Sequence, residues 1–155
     1  LSVLDIATLN VIDEWEIAKS SHGIAILEEE NSVWIGGHGE GSKPNETIDV
    51  YNLTTGEKKS EIHMPLMPIG IAEKDDEVAV ISHGANMLYV ANLDGEILWQ
   101  QKVGANPFST AYFADYIVVA GYDDQNIYFL NEQEIAKEVQ TDKGPFQLFV
   151  REGME

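Results

Sequence analysis

The chain has 155 residues and carries 27 acidic against 9 basic side chains, a formal charge of -18 with its histidines neutral. Such a surface repels phosphate backbones and anionic headgroups, which excludes nucleic acid as a partner. At 44% hydrophobic and 23% charged there is apolar material for one ordinary folded domain, and no apolar run is long enough for membrane insertion as a spanning helix. The absence of cysteine removes disulfides, thiolate metal sites and cysteine nucleophiles together. It leaves the compartment open, an extracytoplasmic or cell-surface one being favoured. The opening LSVLDIATLN has neither an initiator Met nor a signal-peptide pattern, as in a processed chain or a piece of one.

In chain order, Leu1-Ser2-Val3-Leu4-Asp5-Ile6 has the residues of a strand, and Ala7-Thr8-Leu9-Asn10 after it is turn-forming. Gly23-Ile24-Ala25 then opens a longer series. It continues through β-branched Val33-Trp34-Ile35 and Thr47 to Leu53, and closes on Thr54-Thr55-Gly56-Glu57. The series returns as Pro68 to Ala72, Val78 to Ile81, Met87 to Leu93, the hairpin dipeptide Asp94-Gly95, and Ile97 to Val103. It returns again as Pro107 to Ala111, Ile117 to Val119, Asn126 to Asn131 and the turn Glu132-Gln133-Glu134. Asn131 to Gln140 is amphipathic enough to suggest a helix, but its place in the repeat predicts a strand pair. Phe146 to Val150 predicts one more opening strand. Pro68, Pro107 and Pro145 stand 39 and 38 residues apart.

Four short antiparallel strands, A to D, recurring at about this period are the signature of a β-propeller blade. The sequence therefore predicts an all-β propeller segment: a partial blade over 1–20, blades over 21–66, 67–105 and 106–143, and the start of another over 144–155. About three complete blades and two partial ones leave an incomplete ring. Two arrangements would complete it: a longer parent of about six to eight blades, or a homo-dimer of two arcs, the latter lacking a strand B at the junction.

Asp5-Ile6-Ala7-Thr8-Leu9-Asn10-Val11 and Asn52-Leu53-Thr54-Thr55-Gly56-Glu57, with the junctions Gly104-Ala105-Asn106-Pro107-Phe108 and Lys143-Gly144-Pro145-Phe146, resemble the YVTN-type bacterial β-propeller repeat. The Tyr-Val-Thr-Asn run itself is replaced by Trp34-Ile35-Gly36-Gly37, Val80-Ile81-Ser82-His83 and Val119-Ala120-Gly121-Tyr122. The resemblance implies the lactonase-like and WD40-like propeller superfamily, whose members include lactonases, lyases, electron-transfer subunits and plain binding scaffolds.

Antiparallel strands place the start of A, the end of B, the start of C and the end of D at one end of the blade, the top. Glu28-Glu29-Glu30, Lys74-Asp75-Asp76-Glu77 and Asp115 fall in A–B turns, at the bottom. His22 precedes strand A, His63 ends strand D, and His38 and His83 end strand B at equivalent repeat positions, with Tyr122 holding that position in the third blade, before Asp123. His22, His38, His83, Tyr122 and Asp123 are accordingly the candidate ligand-binding residues. Imidazole with carboxylate suits a divalent cation, which makes His38 and His83 the candidate metal ligands. Against this stands the plainer reading of histidines that cap turns or face solvent, and no spaced metal motif accompanies them.

Three weaker signals are read structurally: Gly36 to Gly41 as a flexible insertion, because no helix follows to make it a phosphate loop; Asp123-Asp124-Gln125-Asn126 as a turn, because it lacks the spacing of a calcium loop; and Ser82-His83 as mere adjacency. No residue is assigned a catalytic role. The sequence favours a non-enzymatic scaffold that binds a protein, peptide or small polar ligand at the top face and central channel. The alternative is a metal-dependent hydrolase or lyase of the lactonase-like kind. An electron-transfer propeller has little support, for want of a haem-attachment pattern.

Overall fold

In the computed structural model, which describes residues 1–151, the chain is all-β, with no helix among the described residues. β1 (Ser2–Leu4) and β2 (Val11–Glu14) form a hairpin. β3 (Ser21–Leu27) and β4 (Ser32–Gly37) are separated from β7 (Thr47–Asn52) and β8 (Lys58–His63) by a small hairpin of β5 (Gly39–Glu40) and β6 (Lys43–Pro44). The run expected to be a flexible insertion thus carries its own two-stranded ladder. β9 (Pro68–Lys74), β10 (Glu77–Ser82), β11 (Met87–Asn92) and β12 (Ile97–Lys102) make a second sheet, and β13 (Pro107–Phe113), β14 (Tyr116–Gly121), β15 (Asn126–Asn131) and β16 (Glu134–Gln140) a third. Each four-stranded sheet is an antiparallel meander in chain order. The first strands β3, β9 and β13 pack side by side, so the sheets stand as neighbouring blades of a propeller arc that does not close.

The period-two pattern explains why the blades stack. A strand sends successive side chains to opposite faces. On β10, Val78 and Val80 point into a core with Trp34, Ile48 and Val50 of the preceding blade, while Ala79 and Ile81 join Ile117, Val119 and Leu130 of the next. Both faces of a middle blade are therefore dry, and all four of these β10 residues are fully buried. Each such Val or Ile contributes about 1.5–3 kcal/mol by leaving water. On the first blade, Val33, Ile35 and Tyr51 turn the other way, onto Leu1, Trp15 and Ile17. Gly36 permits the close approach: a Cβ there would stand 2.2 Å from the Pro68 carbonyl oxygen of the neighbouring blade.

Residues 134–140 are a strand, as the repeat predicts. Leu130 and Ile135 pack on the second core, and the tight turn before β16 places Glu132 and Gln133 both at positive φ, the geometry of a two-residue hairpin. The strand expected at Phe146–Val150 forms no ladder. No neighbouring strand receives its backbone, and one amide of the segment, that of Leu148, donates instead to Ser109 Oγ at 3.1 Å. The fourth strand of the second blade, expected over Ile97 to Val103, ends one residue early, because the Val103 amide donates to the Asn86 carbonyl outside the ladder. Residues 152–155 of the expected final blade lie outside the described residues.

Candidate functional site

The top of the arc is built by one backbone device used three times. Ser20, Met67 and Asn106, each just before a first strand, hold positive φ of 59, 62 and 48°. Their carbonyls accept from the amides of His38 (3.1 Å), His83 (3.0 Å) and Tyr122 (3.2 Å). The residue following each second strand is thereby pinned beside the start of the first strand, where the blades converge. Left-handed backbone at non-glycine residues costs about 1–2 kcal/mol apiece, so the surrounding ladders must hold it.

The pinned side chains meet. His22 packs edge to face on His38 at 4.5 Å between ring centroids, and His38 packs in the same way on His83 at 5.3 Å. His83 continues to Phe108 at 4.5 Å, and Phe108 to Tyr122 at 5.3 Å and Phe146 at 4.7 Å. The result is an unbroken line of six rings, three imidazoles followed by three carbocyclic rings, crossing all three blades. Gly144 makes room for its last members, since a Cβ there would lie 2.7 Å from the Tyr122 ring. Beside the line, the first strands open a cavity of about 360 Å³ whose lining includes His22, Ile24, Ile69, Ile71, Phe108 and Phe146. Tyr122 is 42% and Phe146 60% exposed, so the carbocyclic end is reachable from solvent.

The structure brings His22, His38, His83 and Tyr122 into this one line. Asp123 lies beside it, exposed, its carboxylate accepting from the Asn106 side-chain amide. His63 stands apart, opposite Thr47 on the outermost strand of its blade. Phe108 and Phe146 were not among the sequence candidates. Their signal was present: both follow the repeat proline, at the position that His22 holds in the first blade.

Burial, and then the charges of His22 and His83, hold the His38 imidazole below its ordinary pKa of 6.5. His83 Nδ1 lies 3.3 Å from the Pro107 carbonyl oxygen. A carbonyl only accepts, so Nδ1 is the donor in that contact. The rings meet through edges and faces, and among the described residues no three His, Asp or Glu side chains converge as a metal-binding set. Ser82 Oγ donates to the Leu66 carbonyl at 2.7 Å, so its hydroxyl is engaged away from His83.

At the opposite end the A–B turns gather the acid. Glu28 to Glu30, Glu73, Asp75 and Asp76 line a cavity of about 570 Å³ between the first two complete blades. Between the next two, the Tyr112 hydroxyl is buried without a partner, and burial together with Glu77, Glu73 and Asp75 pushes its ionisation well above the usual tyrosine range. In the third blade Asp124 supports the turn under the rings: Tyr128 donates its hydroxyl to Oδ2, and the Ala105 amide donates at 3.0 Å.

No family model and no curated protein matches the chain. Among solved structures it is similar to the computationally designed Ika8 protein (TM-score 0.76, 16% identity, 97% of this chain against 46% of that one). It is also similar to a chain of the mitotic checkpoint complex (TM-score 0.74, 7% identity, 91% against 44%) and to BamB from Moraxella catarrhalis (TM-score 0.68, 16% identity, 97% against 47%). The chain spans less than half the length of each. At these identities the likeness is one of fold, a β-propeller.

Proposed function

We propose that this propeller arc is a non-enzymatic binding scaffold that takes a protein, peptide or small polar ligand at its top face and channel mouth, in an extracytoplasmic setting. The observation that carries the reading is the ring line. Half-exposed aromatic side chains held on strained, hydrogen-bonded backbone beside a concave opening are the composition of a recognition surface, where rigid rings give contact area at little entropic cost. A protein partner also agrees with the fold's occurrence in the mitotic checkpoint complex, itself an assembly. The alternative, a hydrolase with His38 and His83 on a metal, draws on the same proximity but lacks a converging carboxylate.

The test is affinity capture with the wild-type chain beside a variant carrying Tyr122→Ala and Phe146→Ala. Both side chains are exposed, so their loss leaves the inter-blade cores intact. Partners retained by the wild type and lost by the variant, at unchanged melting temperature, are the expected outcome. Equal capture by both proteins rejects the top face as the binding surface.

A further inference from the structure

A second opening lies at the end of the blades opposite the rings, between the second and third sheets. Side-chain alternation buries Ile117 and Leu130 in the core that these two blades share. It leaves Trp99 on β12, Tyr112 on β13 and Tyr116 on β14 part-covered around a cavity of about 460 Å³. That volume falls within the range of about 300–1,000 Å³ common for ligand sites. Lys74 runs along one side, and its ammonium donates to the Ala114 carbonyl at 2.8 Å, tying the A–B turn of the second blade to that of the third.

Folding alone does not account for two features of this cavity. One is the Tyr112 hydroxyl, whose oxygen exposes less than 1 Å² and has no hydrogen-bond partner. A buried hydroxyl left unpaired is costly and uncommon. The other is charge. Asp75, Asp76 and Glu77 of the second blade face Asp115 and Glu132 of the third across the opening, and among the described residues none of them takes part in an ion pair. Nor do acidic side chains among the described residues converge as the ligands of one metal ion. Separated carboxylates around an aromatic wall suit a cation that spreads its charge over several donors.

We propose that this inter-blade cavity is a binding site for the guanidinium group of an arginine on a partner protein. It is a second surface, at the far end of the blades, and does not depend on the top-face reading. The planar guanidinium stacks on the aromatic wall, and its N–H donors fan out to carboxylates on both sides of the opening. One donor meets the Tyr112 hydroxyl oxygen, which has lone pairs free to accept it. A lysine ammonium is a compact point charge and serves the two sides less well. The charge of -18 adds to the attraction, because a recess lined by one sign of charge concentrates ions of the other.

The probes are N-acetylargininamide, its neutral urea counterpart N-acetylcitrullinamide, and N-acetyllysinamide, titrated into the full chain while the aromatic resonances are followed by NMR. Trp34, fully buried in the first core, is the internal reference. The arginine probe is expected to move the Trp99, Tyr112 and Tyr116 signals, to bind about tenfold more tightly than either of the others, and to weaken with added salt. Tyr112→Phe should melt no lower than the wild type, since the hydroxyl bonds to nothing in the free chain, yet bind the arginine probe about fivefold more weakly. Asp115→Asn with Glu132→Gln, both at exposed positions, should weaken binding at unchanged melting temperature. Equal binding of the arginine and citrulline probes overturns the proposal, and equal binding of the lysine probe overturns its choice of guanidinium. Shifts that spare Trp99 and Tyr112, or an affinity unchanged in both variants, overturn the site. A lower melting temperature for Tyr112→Phe would show that the hydroxyl is partnered in the free chain, and would overturn it as well.

Discussion

His38 sits between two other imidazoles, and burial and their charges lower its proton affinity in the folded chain. The unfolded chain, with an ordinary imidazole near 6.5, then binds more protons than the folded one, so stability falls as pH drops. The contribution is fully present above about pH 6.5 and is lost as pH descends towards the depressed folded-state value. Thermal melts of the wild type should therefore decline between pH 6.5 and 5, and those of His38→Gln should decline less steeply; superimposable profiles would count against the cluster as their origin. Asp124 offers a second test at this scale. Its Oδ1 is buried without a partner, and Tyr128, whose own ionisation is pushed up to about 12 by burial and by this carboxylate, stays a donor to Oδ2 at any working pH. Tyr128→Phe removes that donor at nearly constant shape and should cost about 1–3 kcal/mol in urea denaturation.

At the scale of strands and turns, the fold depends on faces that alternate and on turns that reverse the chain sharply. Ile81 on β10 is fully buried against the next blade, so Ile81→Ala should lower stability by about 2–5 kcal/mol, measured by the same denaturation. A much smaller loss would mean that the inter-blade core collapses around the gap. Gly95, between β11 and β12, holds a φ of +87°, and a Cβ there would meet Ile62 of the preceding blade at 2.6 Å. Gly95→Ala therefore acts twice, by backbone strain of about 1–2 kcal/mol and by pushing on a neighbouring blade.

For the molecule as a whole, the middle blade is covered on both faces while the outer flanks are not. Ile12 is 65% and Phe149 86% exposed, and Ala111, Phe113, Val118 and Phe129 line an apolar groove on the flank of the third blade. Apolar surface of this kind favours association. Light scattering should show an apparent mass that climbs above 17.2 kDa with concentration. The double substitution Ile12→Asp, Phe149→Asp should hold it near the monomer value; an unchanged concentration dependence would place the contact elsewhere.

The sequence by itself determined the propeller, the four-strand unit, its period and the sorting of acid to one end and histidine to the other. Those features depend on alternation, β-branched runs and turn residues that each lie within a few positions of one another. The same repeat logic brought His22, His38, His83 and Tyr122 to one end, because equivalent positions in stacked units share an environment. It could not say that the imidazoles touch, that Phe108 and Phe146 complete the line, or that Ser82 turns to Leu66. Those outcomes depend on distances between blades, set by close approaches such as that of Gly36 to Pro68, and on left-handed carbonyls at Ser20, Met67 and Asn106. Nor could it say that Phe146–Val150 stays unpaired, because a strand is made by its neighbour's hydrogen bonds as much as by its own residues. Tertiary packing alone decides which side chains meet across chain-distant turns.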